Sequence, residues 1–246
     1  MIELILLTIT GIATGFLNVM AGGGSMLSVP MMIFLGVPGT IANGTNRIAL
    51  LPQNITAVLA SYRKGFSNFK LSFSLALCTI PGALFGAYLA ARVPNDDFNQ
   101  VLAIIMIIVL VVMALPQEKV LQQNAQPSRA RMIAGHCLMV VIGFWGGFIH
   151  IGVGFLLMPT LNRVMQLDLI TTNAHKVFIV LCYTCVALLL FASQLELVWQ
   201  YGFALAVGTT IGAWLAANLQ ITRGIGTIKL TLNIVVVAFI IKLLFF

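Results

Sequence analysis

Charge is what this sequence has least of. Asp, Glu, Lys and Arg together supply 8% of its 246 residues, whereas hydrophobic residues supply 60%, and the mean hydropathy is +1.06. So few polar groups cannot coat a soluble globule of this length, so a water-soluble enzyme or binding domain is excluded and most of the chain must lie in a bilayer. Carboxylates are scarcer still: Glu3, Asp96, Asp97, Glu118, Asp168 and Glu196 are all there are. Each falls at an expected helix end or loop, which excludes a cation carrier built on acids inside the membrane and an intramembrane aspartyl protease. Cysteine is limited to Cys78, Cys137, Cys182 and Cys185, all in apolar segments, so no disulfide framework is implied.

What is present in abundance is long apolar sequence. Stretches near the length that spans a bilayer, about 17 to 25 residues, run over 2–20, 48–61, 71–91 and 101–115, then over 132–149, 177–192, 198–217 and 230–246. Two shorter segments, 26–35 and 155–165, follow glycine-rich breaks and read as half-helices or re-entrant pieces. The first stretch has no basic lead-in or cleavage site and is expected to be a retained helix.

The chain also says nearly the same thing twice. Gly82-Ala83-Leu84-Phe85-Gly86-Ala87-Tyr88-Leu89-Ala90-Ala91 returns as Gly208-Thr209-Thr210-Ile211-Gly212-Ala213-Trp214-Leu215-Ala216-Ala217, and Gly15 to Pro30 returns more loosely as Gly143 to Pro159. Arg47 with Lys176, and Phe98 with Ile225, keep nearly the same offset. Three parts follow: a first transmembrane repeat at 1–115, a polar cytoplasmic linker at 116–131 and a second repeat at 132–246. Duplication of this kind in a membrane protein points to a transporter.

Loop charge sets the orientation. Arg63, Lys64 and Lys70 mark one loop as cytoplasmic, and Lys119, Arg129 and Arg131 mark the linker. The second-half equivalent of the Arg63 loop, 192–196, has no basic residue, while Arg223 and Lys229 occupy a loop whose counterpart carries Asp96 and Asp97. Equivalent loops thus face opposite sides. The fold class expected is an all-α polytopic membrane protein of two inverted-topology repeats, about five helical elements each, with short broken or re-entrant helices after the glycine-rich breaks and both termini outside. The formal charge of +7 reflects this loop bias and implies no nucleic acid partner.

Gly15-Phe16-Leu17-Asn18-Val19-Met20-Ala21-Gly22-Gly23-Gly24-Ser25, Pro30, Leu35-Gly36-Val37-Pro38 and Ala42-Asn43-Gly44-Thr45-Asn46-Arg47 resemble the sulfite exporter TauE/SafE family. Gly147-Phe148-Ile149-His150-Ile151-Gly152-Val153-Gly154 with Pro159 resembles that family's second glycine motif, departing from it at His150 and Val153. The resemblance covers nearly the whole chain and implies transport of a small sulfur-containing anion such as sulfite, a sulfonate or thiosulfate across a bacterial inner membrane, coupled to an ion gradient of protons or sodium.

Physical chemistry independently favours an anion. A helix starting inside the membrane presents unpaired N–H groups and a positive dipole end, and Gly22, Gly23, Gly24 and Ser25 would form one such end, with Gly152, Val153 and Gly154 the other. Close helix packing is the other use of those glycines. Arg47 and Lys176 lie within apolar sequence, where charge is costly and tends to be functional, beside Asn43, Thr45 and Asn46 in one half and Thr172, Asn173 and His175 in the other. Substrate binding is accordingly expected at Gly22, Gly23, Gly24, Ser25, Asn43, Thr45, Asn46, Arg47, Gly152, Gly154, Asn173, His175 and Lys176. His150 and His175 are the candidates for proton coupling, or else hydrogen-bonded packing residues.

The expected function is a secondary transporter moving that anion by alternating access, not an enzyme, with no cofactor and no metal. Two alternatives stay open: an anion channel, and a sulfur-relay protein using Cys182 and Cys185. Pro52 and Pro81 are kinks or hinges. The GxxxG spacings at Gly11/Gly15, Gly82/Gly86, Gly143/Gly147 and Gly208/Gly212 pack helices within the monomer or across a homodimer.

Overall fold

A computed structural model describes residues 1–20, 22–66, 68–114 and 128–218. Among these residues the regular structure is helical throughout: α1 Ile2–Met20, α2 Ser25–Phe34, α3 Gly39–Arg63, α4 Phe69–Ala90, α5 Asn95–Ala114, α6 Arg129–Phe148, α7 Val153–Pro159 continued by a π-helical turn at Thr160–Val164, α8 Leu169–Gln194 and α9 Trp199–Asn218. The expected span at 230–246, Arg223, Ile225, Lys229 and most of the linker lie outside the described residues.

Five of these helices, α1, α4, α5, α6 and α8, are long and apolar enough to cross a membrane. The molecule is inside out relative to a soluble protein. Ile5, Ile9, Phe73, Leu77, Phe85, Ile104, Ile108, Val141, Leu189, Phe203, Val207 and Trp214 point outward, while Asn18, Asn43, Asn46, Arg47, Gln53, Asn54, His175 and Lys176 are buried. Only lipid on the outside makes that distribution favourable, since apolar surface is best left facing hydrocarbon. α3 begins well before the apolar run at 48–61, because Asn43, Asn46 and Arg47 are turned into the protein and find partners there, so their polarity does not end the helix.

Helix seams are built on glycine. Gly11 and Gly15 of α1 face the backbone of Leu205 and Thr209 on α9, and Gly208 and Gly212 return the contact to Thr8 and Ile12. The seam between α4 and α6 repeats the scheme, with Gly82 and Gly86 on Val140 and Phe144, and Gly143 and Gly147 on Thr79 and Ala83. Without a Cβ the two backbones come close enough for dispersion contact along the whole seam. Numbers rise together across each seam, so α1 runs parallel to α9 and α4 to α6. α3 joins the first set, since Thr45 accepts from the Val198 N–H at 3.1 Å and Ala49 accepts from Thr209 at 2.9 Å. α8 joins the second, with His175 beside Ser72 at one end and Tyr183 beside Gly146 further on. α3 and α8 run antiparallel: Gly44 meets Phe191, whereas Gln53 and Lys176 both bond Asn18.

The starts of α6 and α8 are capped by side chains. Ser128 accepts from the Arg131 N–H at 3.4 Å, and Asp168 Oδ1 accepts from the N–H groups of Ile170 and Thr171 at 3.0 Å each. Partial burial pushes the Asp168 carboxyl up, but the hydrogen bonds from Thr171 and Ile170 outweigh it and hold the group below its ordinary pKa. A carboxylate depressed in the fold stabilises above its unfolded pKa, about 3.9, and that contribution is lost as the pH falls through the lower folded value. Asp168→Ala should therefore cost about 1 kcal/mol at neutral pH. Thermal unfolding in detergent should show the gap between wild type and variant shrinking as the pH falls below about 3.9, and a constant gap would disprove the cap's titration.

Candidate functional site

Both halves break where a helix would otherwise continue, and both breaks turn on a glycine in the left-handed region, Gly22 at φ +80° and Gly152 at φ +76°. That region costs other L-residues roughly 1–2 kcal/mol. The helices that follow are too short to cross a bilayer: α2 has ten residues and α7 seven. The breaks touch, because the Gly154 N–H donates to the Gly22 carbonyl at 3.3 Å. The glycine at each position also fills the space where the other's Cβ would stand.

Around the first break Asn18 is the organiser. Its Oδ1 accepts from the Ser25 N–H at 3.3 Å, and its Nδ2 donates to Ser25 Oγ at 3.5 Å and Gln53 Oε1 at 3.1 Å. Asn46 donates to Ser25 Oγ at 3.3 Å and accepts from Ser28 Oγ at 2.7 Å. Lys176, from the second half, donates to the carbonyls of Asn18 at 3.3 Å and Val19 at 2.9 Å, at the end of α1. Those carbonyls are among the four that a helix C-terminus leaves open, and a cation there also meets the negative end of the dipole.

Around the second break the roles are mirrored with different residues. Arg47, from the first half, has no exposed surface; its Nη1 donates to the Gly146 carbonyl at 2.6 Å and its Nη2 to Gly147 at 3.1 Å. Asn43 donates to the Phe148 carbonyl at 2.9 Å and accepts from Arg47 Nη2 at 3.5 Å. Three consecutive carbonyls ending α6 are thus covered by one turn of α3. Arg47 also lies over the Phe191 ring at 5.6 Å, and its Nε–H has no partner. His150 Nδ1 is 2.7 Å from the Tyr183 hydroxyl, which packs on Gly146.

Gly22, Gly23, Gly24, Ser25, Asn46 and Lys176 therefore gather at the first break, and Asn43, Arg47, Gly152, Gly154 and His150 at the second. Arg47 and Lys176 share no partner; each has its own helix end. Thr45 accepts from Val198 at the start of α9, and His175 pairs with Ser72 at 2.7 Å against the Phe66 ring. Neither of these two, nor Asn173, bonds to a residue of either break. Sequence reading did not single out Gln53, Ser28 or Tyr183, nor give Asn18 a role. Their signal is a hydrogen-bonding side chain inside an apolar run, the same signal that marks Arg47. Cys182 is half-buried and Cys185 exposed on the outer face of α8.

A bundle with an apolar exterior, five helices long and apolar enough to span, and many of its buried polar groups at two broken helices is an integral, multi-pass membrane protein. The model of the family described as sulfite exporter TauE/SafE matches residues 7–243, and the chain belongs to that family of membrane transporters. It is 28% identical to probable membrane transporter protein ORF9 of Sinorhizobium sp, over 97% of this chain and 91% of that protein. It is 27% identical to probable membrane transporter protein YfcA of Escherichia coli K12, over 94% and 86%, and 22% identical to YunE of Bacillus subtilis 168, over 95% and 94%. No solved structure matches the chain.

Proposed function

We propose that this protein is a secondary transporter that moves a small sulfur-containing anion, of the sulfite, sulfonate or thiosulfate type, by alternating access across a bacterial inner membrane. The observation that carries the reading is a pair of buried cations, Arg47 and Lys176, one at each helix break, with no described carboxylate bonded to either. Positive charge without a counter-ion in a dry interior is costly, and an anion of the transported kind would relieve it. Ser25, Asn43 and Asn46 add hydrogen bonds, and Gly22–Gly24 with Gly152 and Gly154 bring backbone close to the bound ligand. Thr45 and His175 hold neighbouring helices in this conformation, so the proposed site draws on the others.

The inverted arrangement belongs to the same proposal. Support comes from the opposite directions of α1 and α6 and of α3 and α8, and from the α1–α9 and α4–α6 seams, which use glycines in the same way in the two halves. Rocking about the touching breaks would expose the site to each side in turn, with both termini outside and a proton or sodium ion as the coupling species. His150, paired with Tyr183, is the proton candidate at the site.

Purified protein in proteoliposomes, assayed with labelled sulfite, sulfate, thiosulfate and a simple sulfonate with and without a pH gradient, tests this. Saturable flux of one anion should fall at least about tenfold in Arg47→Gln/Lys176→Gln, the loss of one or two charge-assisted hydrogen bonds at ~1.5–3 kcal/mol each. Flux unchanged in that variant would overturn the site.

A further inference from the structure

We propose that Arg47 and Lys176 are reciprocal clamps, each holding the broken helix end of the opposite half, and that the transported anion opens the Arg47 clamp by replacing the Gly147 carbonyl on the guanidinium. The idea rests on the transport reading above and deepens it: binding and release of a contact between halves become one event.

The geometry has the needed asymmetry of ownership. Arg47 belongs to α3 but bonds the Gly146 and Gly147 carbonyls of α6, about 100 positions further along the chain. Lys176 belongs to α8 but bonds the Asn18 and Val19 carbonyls of α1. Each clamp therefore joins the two halves across the breaks, and neither can let go without loosening the seat of a broken helix.

Chemistry supplies the exchange. A helix-terminal carbonyl offers a cation only a partial negative charge, about half an elementary charge shared over the end of the helix. An oxyanion offers a full charge and accepts two parallel N–H···O bonds from one guanidinium edge, a bidentate pairing that a single carbonyl cannot match. The anion thus outcompetes the carbonyls for the guanidinium. A landing point already exists, since the Nε–H of the fully buried Arg47 has no partner. An oxyanion seated on Nε and Nη2 would use one edge of the guanidinium fork and would take Nη2 from Gly147 and Asn43. The Gly147 carbonyl, left buried without its donor, then favours any rearrangement that finds it water or a new partner. Lys176 has no such edge: two of its three protons are already on Asn18 and Val19, and a point charge cannot bind bidentately.

Amide hydrogen exchange on the full-length protein in nanodiscs separates this from an ordinary preformed site, because the sign differs. An anion entering a preformed site protects its surroundings. An anion that opens the clamp should make amides over 146–152 exchange roughly tenfold faster, the factor that accompanies about 1.4 kcal/mol of lost local stabilisation. Arg47→Gln without anion should reproduce that acceleration and respond no further to anion, Lys176→Gln should accelerate 17–24 instead, and Arg47→Lys, which keeps charge and can reach a carbonyl, should fall between. Slower exchange over 146–152 on binding, or no acceleration in Arg47→Gln and Arg47→Lys, overturns the proposal. Binding of the labelled anions is measured in parallel. If none of sulfite, sulfate, thiosulfate or a sulfonate binds while Arg47→Gln still accelerates 146–152, the sulfur-anion reading falls and the displacement with it, and the clamps remain.

Discussion

Leucine in place of Gly15 or Gly147 is expected to leave no monodisperse protein in detergent. A Cβ at Gly15 would stand 2.7 Å from both the Cα and the carbonyl carbon of Thr209, and one at Gly147 would stand 2.6 Å from the Cα of Ala83. The obstacle in both cases is backbone, which cannot rotate aside as a side chain can. Overpacking that side chains absorb costs about 1–3 kcal/mol, and here whole helices must separate, so the cost lies at or above the top of that range. Gly65 makes the control: nothing stands within 4 Å of its Cβ, although its φ is +90°. Asparagine tolerates that backbone region, so Gly65→Asn should unfold within a few degrees of the wild type. Size exclusion and thermal unfolding read all three. The losses at Gly15 and Gly147 should also match, since Gly15 meets Thr209 as Gly147 meets Ala83, and a wild-type profile for either would show that its seam tolerates separation.

Five of the expected spans were readable because a long apolar run has one cheap solution in a bilayer, a helix with its backbone bonds made internally. The breaks were readable for a related reason, since Gly22-Gly23-Gly24 and Gly152 interrupt apolar sequence where no loop is otherwise called for. The apolar run at 48–61 starts later than α3 because Asn43, Asn46 and Arg47 are polar residues of that helix whose partners are unknown from sequence. Those partners are Ser25, Ser28 and the carbonyls ending α6, and no spacing rule links residue 47 to residue 146. The same gap explains Tyr183 and Gln53. Each reads as one more residue of an apolar helix until His150 or Asn18 is brought beside it by the fold. Charge within an apolar run announces that a partner exists; only tertiary structure says which.

Alanine at Gly22 should be far more damaging than alanine at its neighbour Gly23, although the triplet looks uniform in sequence. At Gly22 the φ of +80° costs an L-residue roughly 1–2 kcal/mol. The new Cβ would also stand 3.2 Å from the N and carbonyl C of Gly154, and closer still to its Cα. Both terms act together, so we expect a loss of about 2–5 kcal/mol, with Tm lowered by many degrees and anion flux lost. Gly154→Ala meets the reciprocal obstacle, 2.9 Å from the carbonyl carbon and oxygen of Gly22. At Gly23 the nearest atoms, at 3.0 and 3.3 Å, belong to the Phe155 ring, the far end of a side chain that can shift by a few tenths of an ångström. If the triplet instead served to bring backbone against the anion, Gly23→Ala would abolish flux with Tm intact, and the ranking would invert. The double variant Gly22→Ala/Gly154→Ala sharpens the test. Both added methyls intrude into one gap, so once the first has forced the breaks apart the second should cost less than it does alone, a coupling of about 0.5–3 kcal/mol in a double-mutant cycle. Strict additivity would mean that the two glycines do not sense each other, and the contact between the breaks could not then be the point about which the halves move.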